Sequence, residues 1–439
     1  MGLLADLSLT RLCLVTVSVV IAGLGTCQFR RWHRLRHIPG PRGAGPLVRI
    51  GPNELLSTDP GVLRNMSAVR STYTKGDFYM SGRIVPDVDN VVSERNEVKH
   101  KAMKAKMTPG YSGKENEGFG FEAGIDRQLL NFIALLDREY TSAPGETRPV
   151  DLAEKTQFFA LDAIGDVSFG EPFGYLTQDE DLYHYNEINV SSLGAMNVVS
   201  VYPWLTKIVH RWPLKLLLPR EGDQVGFGRL MGIAGSNSSA HALRMIILSI
   251  ITNPPAHASL LAEIREHASS VSTPISWAQI QTLPYLRAVV REGLRMWPPL
   301  AGLGFKQVPP EGDTINGFFV PGGTQIGQGF HAVGRSRLIW GDDADMFRPE
   351  RWLLAEESEL RRMTAAWDTH FGHGKYVCLG KPIALMEIHK AVFELIKRYD
   401  FAIMNPEKPI NIQASVFLFA SDFWVRISRR NDQDVEEKK

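Results

Sequence analysis

The sequence predicts a mainly α protein with a small β part, preceded by an N-terminal transmembrane helix. Three observations carry this reading. Apolar residues recur at three- and four-residue spacing over 121–140, 231–252, 256–268, 277–297 and 379–399. Strand signals are short and few: 47–50, then 314–320 running into Pro321-Gly322-Gly323, and 416–419 with 423–427 across a short turn. Residues 12–29 read LCLVTVSVVIAGLGTCQF, eighteen residues without a charge.

The elements follow in chain order. An eighteen-residue apolar run just spans a hydrocarbon layer of about 30 Å. A cleaved signal peptide is the alternative, with small residues at 23–26 for a peptidase. Against it, the run is longer than a signal core, and Arg30, Arg31, Arg34 and Arg36 follow at once. Those arginines stay cytosolic by the positive-inside rule, so the body faces the cytosol. The start MGLLAD has no Ser or Thr at position six, which argues against myristoylation. Ile38-Pro39-Gly40-Pro41-Arg42-Gly43 cannot continue a helix and reads as a stiff turn. The organisation expected is an anchor at 1–29, a basic, Pro-rich hinge at 30–45, one large domain at 46–430 and a charged tail at 431–439.

Composition narrows the function. Lys+Arg number 49 against 48 Asp+Glu, so no basic excess is left for a phosphate backbone, and nucleic acid is excluded as a partner. Of the three cysteines, Cys13 and Cys27 lie in the apolar stretch, which leaves Cys378 alone in the body. No disulfide framework follows, and a reducing compartment does. Cys378 sits in Phe371-Gly372-His373-Gly374-Lys375-Tyr376-Val377-Cys378-Leu379-Gly380-Lys381-Pro382, at the mouth of an amphipathic helix. Helix N–H groups and the dipole favour a thiolate there, and Gly374 and Gly380 let a flat ligand approach. A thiolate so held suits an axial ligand to haem iron; an inert buried cysteine is the alternative.

The pattern Phe371-x-x-Gly374-x-x-x-Cys378-x-Gly380 resembles the haem-binding signature of the cytochrome P450 family. Two further motifs stand in the family's order. Glu292-Gly293-Leu294-Arg295 is similar to its Glu-x-x-Arg helix, where the i,i+3 pair shares one face, although a surface ion pair would read the same. Phe347-Arg348-Pro349-Glu350-Arg351-Trp352 is similar to its meander, whose arginine, here Arg351, joins Glu292 and Arg295 in a buried structural network. Segments 47–60, 107–119, 315–324 and 343–352 resemble the fungal, pisatin-demethylase-like branch.

The resemblance implies an α-rich haem-thiolate monooxygenase with haem b, Cys378 being the axial ligand to iron. It implies oxidation of a lipophilic small molecule in fungal secondary metabolism. Electrons would come from NADPH through cytochrome P450 reductase, with cytochrome b5 as a further donor, on the endoplasmic reticulum membrane and facing the cytosol. Nothing in the chain looks like a dinucleotide or flavin site of its own. His100 and Lys104 match cationic contacts to a haem carboxylate, Tyr376 stands where relatives have Arg or His, and Lys375 beside it supplies charge. Phe78, Tyr79, 300–305 and 417–419 are candidate substrate walls.

Three departures from the family pattern stand out. On the oxygen-side helix the acid and alcohol that hand protons to dioxygen are Asn237 and Ser238, within Ala234-Gly235-Ser236-Asn237-Ser238-Ser239, and Asn237 cannot ionise. Between the hinge and residue 45 the family's first helix is missing, and upstream of Ala234 so is half of the oxygen-side helix; Gly226, Gly228, Gly232 and Gly235 weaken what remains. These departures keep two alternatives open: a non-catalytic or defective haem-thiolate protein, and an isomerase or dehydratase variant that starts from a peroxide.

Overall fold

A computed structural model describes residues 2–40, 45–83, 88–111, 120–217, 236–302 and 304–430, and within the first helix the side chains from 14 onward except 20. Residues 41–44 of the expected hinge, part of 107–119, Ala234, Gly235, the glycines at 226, 228 and 232, Leu303 and the tail lie outside it.

The main helices are α1 (Gly2–Arg34), α2 (Pro60–Ser67), α3 (Glu97–Met107), α4 (Phe121–Leu135), α5 (Leu152–Phe169), α6 (Tyr185–Val201), α7 (Ser236–Ile251), α8 (Pro254–His267), α9 (Pro284–Met296), α10 (Glu357–Asp368) and α11 (Lys381–Arg398). The strands are β1 (Leu47–Arg49), β2 (Glu54–Ser57), β3 (Thr74–Lys75), β4 (Pro149–Asp151), β5 (Lys306–Gln307), β6 (Asp313–Ile315), β7 (Phe318–Val320), β8 (Gln325–Gln328), β9 (Tyr399–Ile403), β10 (Asn411–Ala414), β11 (Leu418–Ser421) and β12 (Trp424–Arg429). The chain divides into two compact units, 1–76 with 303–329, and 77–302 with 330–439.

The first unit is built on a five-stranded sheet ordered β1-β2-β8-β5-β3, in which β2 and β8 run parallel. Asp59 caps α2 by accepting from the amides of Gly61 and Val62. The single run expected at 314–320 is instead the hairpin β6–β7, because Asn316 and Gly317 both take positive φ between the strands. After α1 the chain docks through Leu35 and Ile38, which are buried, and Arg34 donates to the Gly322 carbonyl at 2.8 Å. Among the described residues no single helix is long and apolar enough to cross a membrane. Side chains 12, 13 and 20 of the expected segment are outside that set. The described part of α1 exposes Leu14, Val15, Val17, Val19, Ile21 and Leu24.

The second unit is helical. Helix α7 is buried on all sides between α5, α9 and α11. Its contact with α9 is close, since a Cβ at Gly293 would collide with Ile246. The expected helix over 277–297 is two helices, a short one at Trp277–Ile280 under a Ser276–Gln279 capping box and then α9, which starts on Pro284. The expected pairing of 416–419 with 423–427 is also corrected. β11 pairs with β10, and β12 pairs with β4 and β9. Asp422, at positive φ, turns the chain out of the first sheet into the second.

Burial holds three histidines of this unit neutral. Burial lowers the pKa of His241 to about 3 and of His370 and His389 to about 4, and both ring nitrogens of His241 lack a hydrogen-bond partner. The unfolded chain takes up these protons near pH 6.5. Stability present above that pH is therefore lost as the pH falls from about 6.5 towards 4, by up to about 1.4 kcal/mol per titrating group per pH unit. The urea midpoint is expected to drop steeply between pH 7 and 5; a flat profile there contradicts it.

Candidate active site: the Cys378 turn and its supports

The Cys378 turn is built from backbone geometry. Gly372 and Gly374 take φ of +73° and +53°, and a Cβ at Gly372 would collide with the Tyr376 carbonyl. The Cys378 amide closes the loop on the Phe371 carbonyl at 2.7 Å. Gly380 is the N-cap of α11 and Pro382 lies in its first turn, so the helix opens directly behind the thiol. Desolvation raises the thiol pKa, opposed by the amides of Gly380 and Lys381 and the charges of Lys104 and Lys381, all favouring the thiolate. The residue nevertheless reaches solvent. Phe371 packs on Trp367 with ring centroids 5.4 Å apart, and Lys381 covers both rings while pairing with Asp368 at 2.7 Å.

Helix α3 brings its basic residues to this turn. Lys104 Nζ donates to the carbonyls of Lys375 and Val377 at 3.1 and 2.7 Å. Burial lowers its pKa, partly offset by Cys378. The His100 and Tyr376 rings lie 5.6 Å apart. The Tyr376 hydroxyl donates to Glu97, and Lys375 pairs with the same carboxylate at 3.2 Å. Burial and Glu97 together push the Tyr376 phenol well above its ordinary pKa. Glu97 escaped the sequence reading, because nothing in the pattern distinguishes it from any other acid in a first helical turn.

Glu292, Arg295 and Arg351 form a second, fully buried cluster. Arg295 donates to both Glu292 oxygens at 2.9 and 2.8 Å, and Arg351 Nε donates to Oε1 at 2.9 Å. The Trp352 indole N–H and the Arg348 amide complete the carboxylate, each at 2.9 Å. Arg295 also donates to the carbonyls of Gly334, Ala344 and Met346, and Arg351 to those of Trp340 and Asp343. Every strong donor and acceptor is answered, which a buried charge cluster requires. A Cβ at Gly334 would collide with the Arg295 carbonyl, so the backbone passes closely there.

Asn237 and Ser238 lie in the first turn of α7, in a different polar group. Tyr185 of α6 is within hydrogen-bonding reach of Asn237 and lies 3.3 Å from the Ser236 hydroxyl. Gln157 donates to Ser236 at 3.2 Å and accepts from buried Arg244 at 3.1 Å. Beside them, Ser239 reaches the buried Glu387 of α11, whose pKa burial raises to about 8. Of the wall candidates, Phe78 and Tyr79 stack edge-to-face at 5.6 Å, and Leu300 bridges Phe417. Gly304 and Phe305 fall in the other unit.

Comparisons with known proteins agree with these motifs. A family model described as Cytochrome P450 matches residues 229–422. Cytochrome P450 monooxygenase ABA1 of Pyricularia oryzae is 34% identical over 432 positions, covering 87% of this chain and 84% of that protein. Cytochrome P450 monooxygenase abl1 of Leptosphaeria maculans is 32% identical over 498 positions, covering 95% and 87%. Since 498 positions exceed the 439 residues here, that relative carries internal residues this chain lacks. The crystal structure of a cytochrome P450DA mutant heme domain has the same fold, with a TM-score of 0.67 at 16% identity over 94% of each chain. Identity of this extent with named monooxygenases, over most of their length, means that the chain belongs to the cytochrome P450 monooxygenase family.

Proposed function

We propose that the protein is a membrane-anchored haem-thiolate monooxygenase that oxidises a lipophilic small molecule, using O₂ and electrons passed from NADPH by a reductase, with cytochrome b5 as a further donor. The Cys378 turn carries the reading. Its donor set fits haem iron: one sulfur, two amides at the helix start aimed at it and two ammonium groups nearby. Cys378 would ligate the iron through its sulfur. Phe371, Gly374 and Gly380 would clear and line its approach, and His100, Lys104, Lys375 and Tyr376 would face the haem carboxylates. When bound, the haem supplies the activation of dioxygen that no side chain here provides.

The remaining work falls to the chain. Glu292, Arg295 and Arg351 would hold the meander under the thiolate turn, and Phe78, Tyr79, Leu300 and 417–419 offer an apolar wall to substrate. The uncharged run ending in Arg30 and Arg31, and the exposed apolar face of α1, support an anchor in the endoplasmic reticulum membrane with the body cytosolic. Reduced carbon-monoxide difference spectroscopy of the full chain tests the ligand assignment. A thiolate-type band is the expected result, followed by product formation that requires reductase.

Asn237 and the internal residues missing relative to abl1 favour a second reading, a haem-thiolate protein that binds without turning over. A thiolate band with no product from reductase or from peroxide would select it, and peroxide-driven rearrangement would select an isomerase-type variant. Within the monooxygenase reading, Asn237 cannot hand on a proton, while Ser238 Oγ can relay one. Asn237→Asp is expected to raise product formed per NADPH consumed and to lower peroxide release. Equal ratios in the two proteins would reject this role for position 237.

A further inference from the structure

One face of α3 carries Glu97, His100 and Lys104, and all three meet the turn at 374–378. Asn96 caps the helix, so Glu97 sits in the first turn, where the dipole favours a carboxylate. Its side chain is 29% exposed and that of Lys375 17%, shielded enough that the pair is not merely a screened surface bridge. Glu97 therefore addresses the two groups that the proposed function gives to the haem carboxylates.

The donor inventory makes this a contest. A lysine ammonium has three N–H bonds and can serve two carboxylates, but a tyrosine has a single O–H and can serve only one. Two carboxylates converging on one ammonium also repel each other. We propose that Glu97 sets how tightly the haem is held, by competing with a haem carboxylate for the Tyr376 hydroxyl and sharing the Lys375 ammonium. This rests on the assignment of Lys375 and Tyr376 to the haem carboxylates. Glu97 acts through those two side chains and is a positioning residue, with no part in the chemical step.

The test is the rate of haem transfer from the full-length holoprotein to excess apomyoglobin, followed in the Soret band. Glu97→Gln is expected to slow haem loss about tenfold. Glu97→Asp keeps the charge at the helix start but draws it back by one methylene, and is expected to fall between the two. In a Tyr376→Phe background, where no O–H is contested, the Glu97→Gln effect should shrink to threefold or less. Unchanged or faster haem loss in Glu97→Gln overturns the proposal, and so does a tenfold effect that persists without the Tyr376 hydroxyl. If Tyr376→Phe and Lys375→Met each leave haem loss unchanged, the assignment of these residues to the haem carboxylates fails instead.

Discussion

An Arg295→Met protein is expected to lose about 3–5 kcal/mol of folding stability, a large share of the ~5–15 kcal/mol that a folded domain retains. The side chain is fully buried and reaches Glu292, which is equally buried. Its removal leaves Glu292 with Arg351, Trp352 and the Arg348 amide. It also strands the carbonyls of Gly334 and Ala344, which Arg295 met at 2.5 and 2.6 Å. Methionine fills much of the volume but answers none of those acceptors. Urea unfolding followed by circular dichroism measures the loss. Arg361→Ala, which removes an exposed i,i+4 pair with Glu357, serves as the comparison and should change stability by less than about 0.5 kcal/mol. If Arg295→Met costs no more than Arg361→Ala, the cluster is not a stabilising element.

Cys378→Ser is expected to abolish the thiolate-type band of the reduced carbon-monoxide complex, and monooxygenase turnover with it. A serine hydroxyl can accept from the Gly380 and Lys381 amides as the sulfur does, and the turn is closed by the backbone bond from residue 378 to Phe371. The fold should therefore survive, with an unfolding midpoint close to that of the parent measured without haem. The alcohol is far less acidic than the thiol and cannot supply the soft anionic ligand that the iron requires. A thiolate band that persists in Cys378→Ser would mean that another sulfur is the ligand. An unfolded protein would mean that the thiol is structural, and the comparison of midpoints separates the two outcomes.

Sequence pattern and structure agree where interactions are local. The turn from Phe371 to Gly380 depends on residues within ten positions of one another, and the i,i+3 spacing of Glu292 and Arg295 on α9 was enough to place them on one face. Helical periodicity located α4, α8 and α11 to within a few residues. The same pattern missed the break before α9, since Thr282-Leu283-Pro284 keeps the apolar rhythm while Pro284 begins a new helix. It misassigned the last strands because β10, reading Asn-Ile-Gln-Ala, is a mostly exposed edge without alternation. β12 alternates cleanly, but its partner β4 lies more than 270 residues earlier.

The missed site residues share one cause. Glu97 acquires its meaning only from Tyr376, and Glu387 only from Ser239 across a helix interface. His241 is set apart by what surrounds it, being fully buried with no partner for either nitrogen. Trp352 stood in the meander motif with no role of its own, yet its indole N–H satisfies the last side of the Glu292 carboxylate. None of these pairings leaves a spacing signal, since the partners meet through packing of distant elements.

The Glu292 cluster also has a direction in time. Arg295 leaves the ribosome almost together with Glu292, whereas Arg351 and Trp352 follow some sixty residues later. At roughly 5–20 residues per second the nascent helix carries a half-answered carboxylate for several seconds. The cluster cannot lock until that later segment is made, and Cys378 is synthesised only after it. Vectorial synthesis thus orders the parts: Glu292 and Arg295 are made together, the meander that completes their cluster next, and Cys378 last.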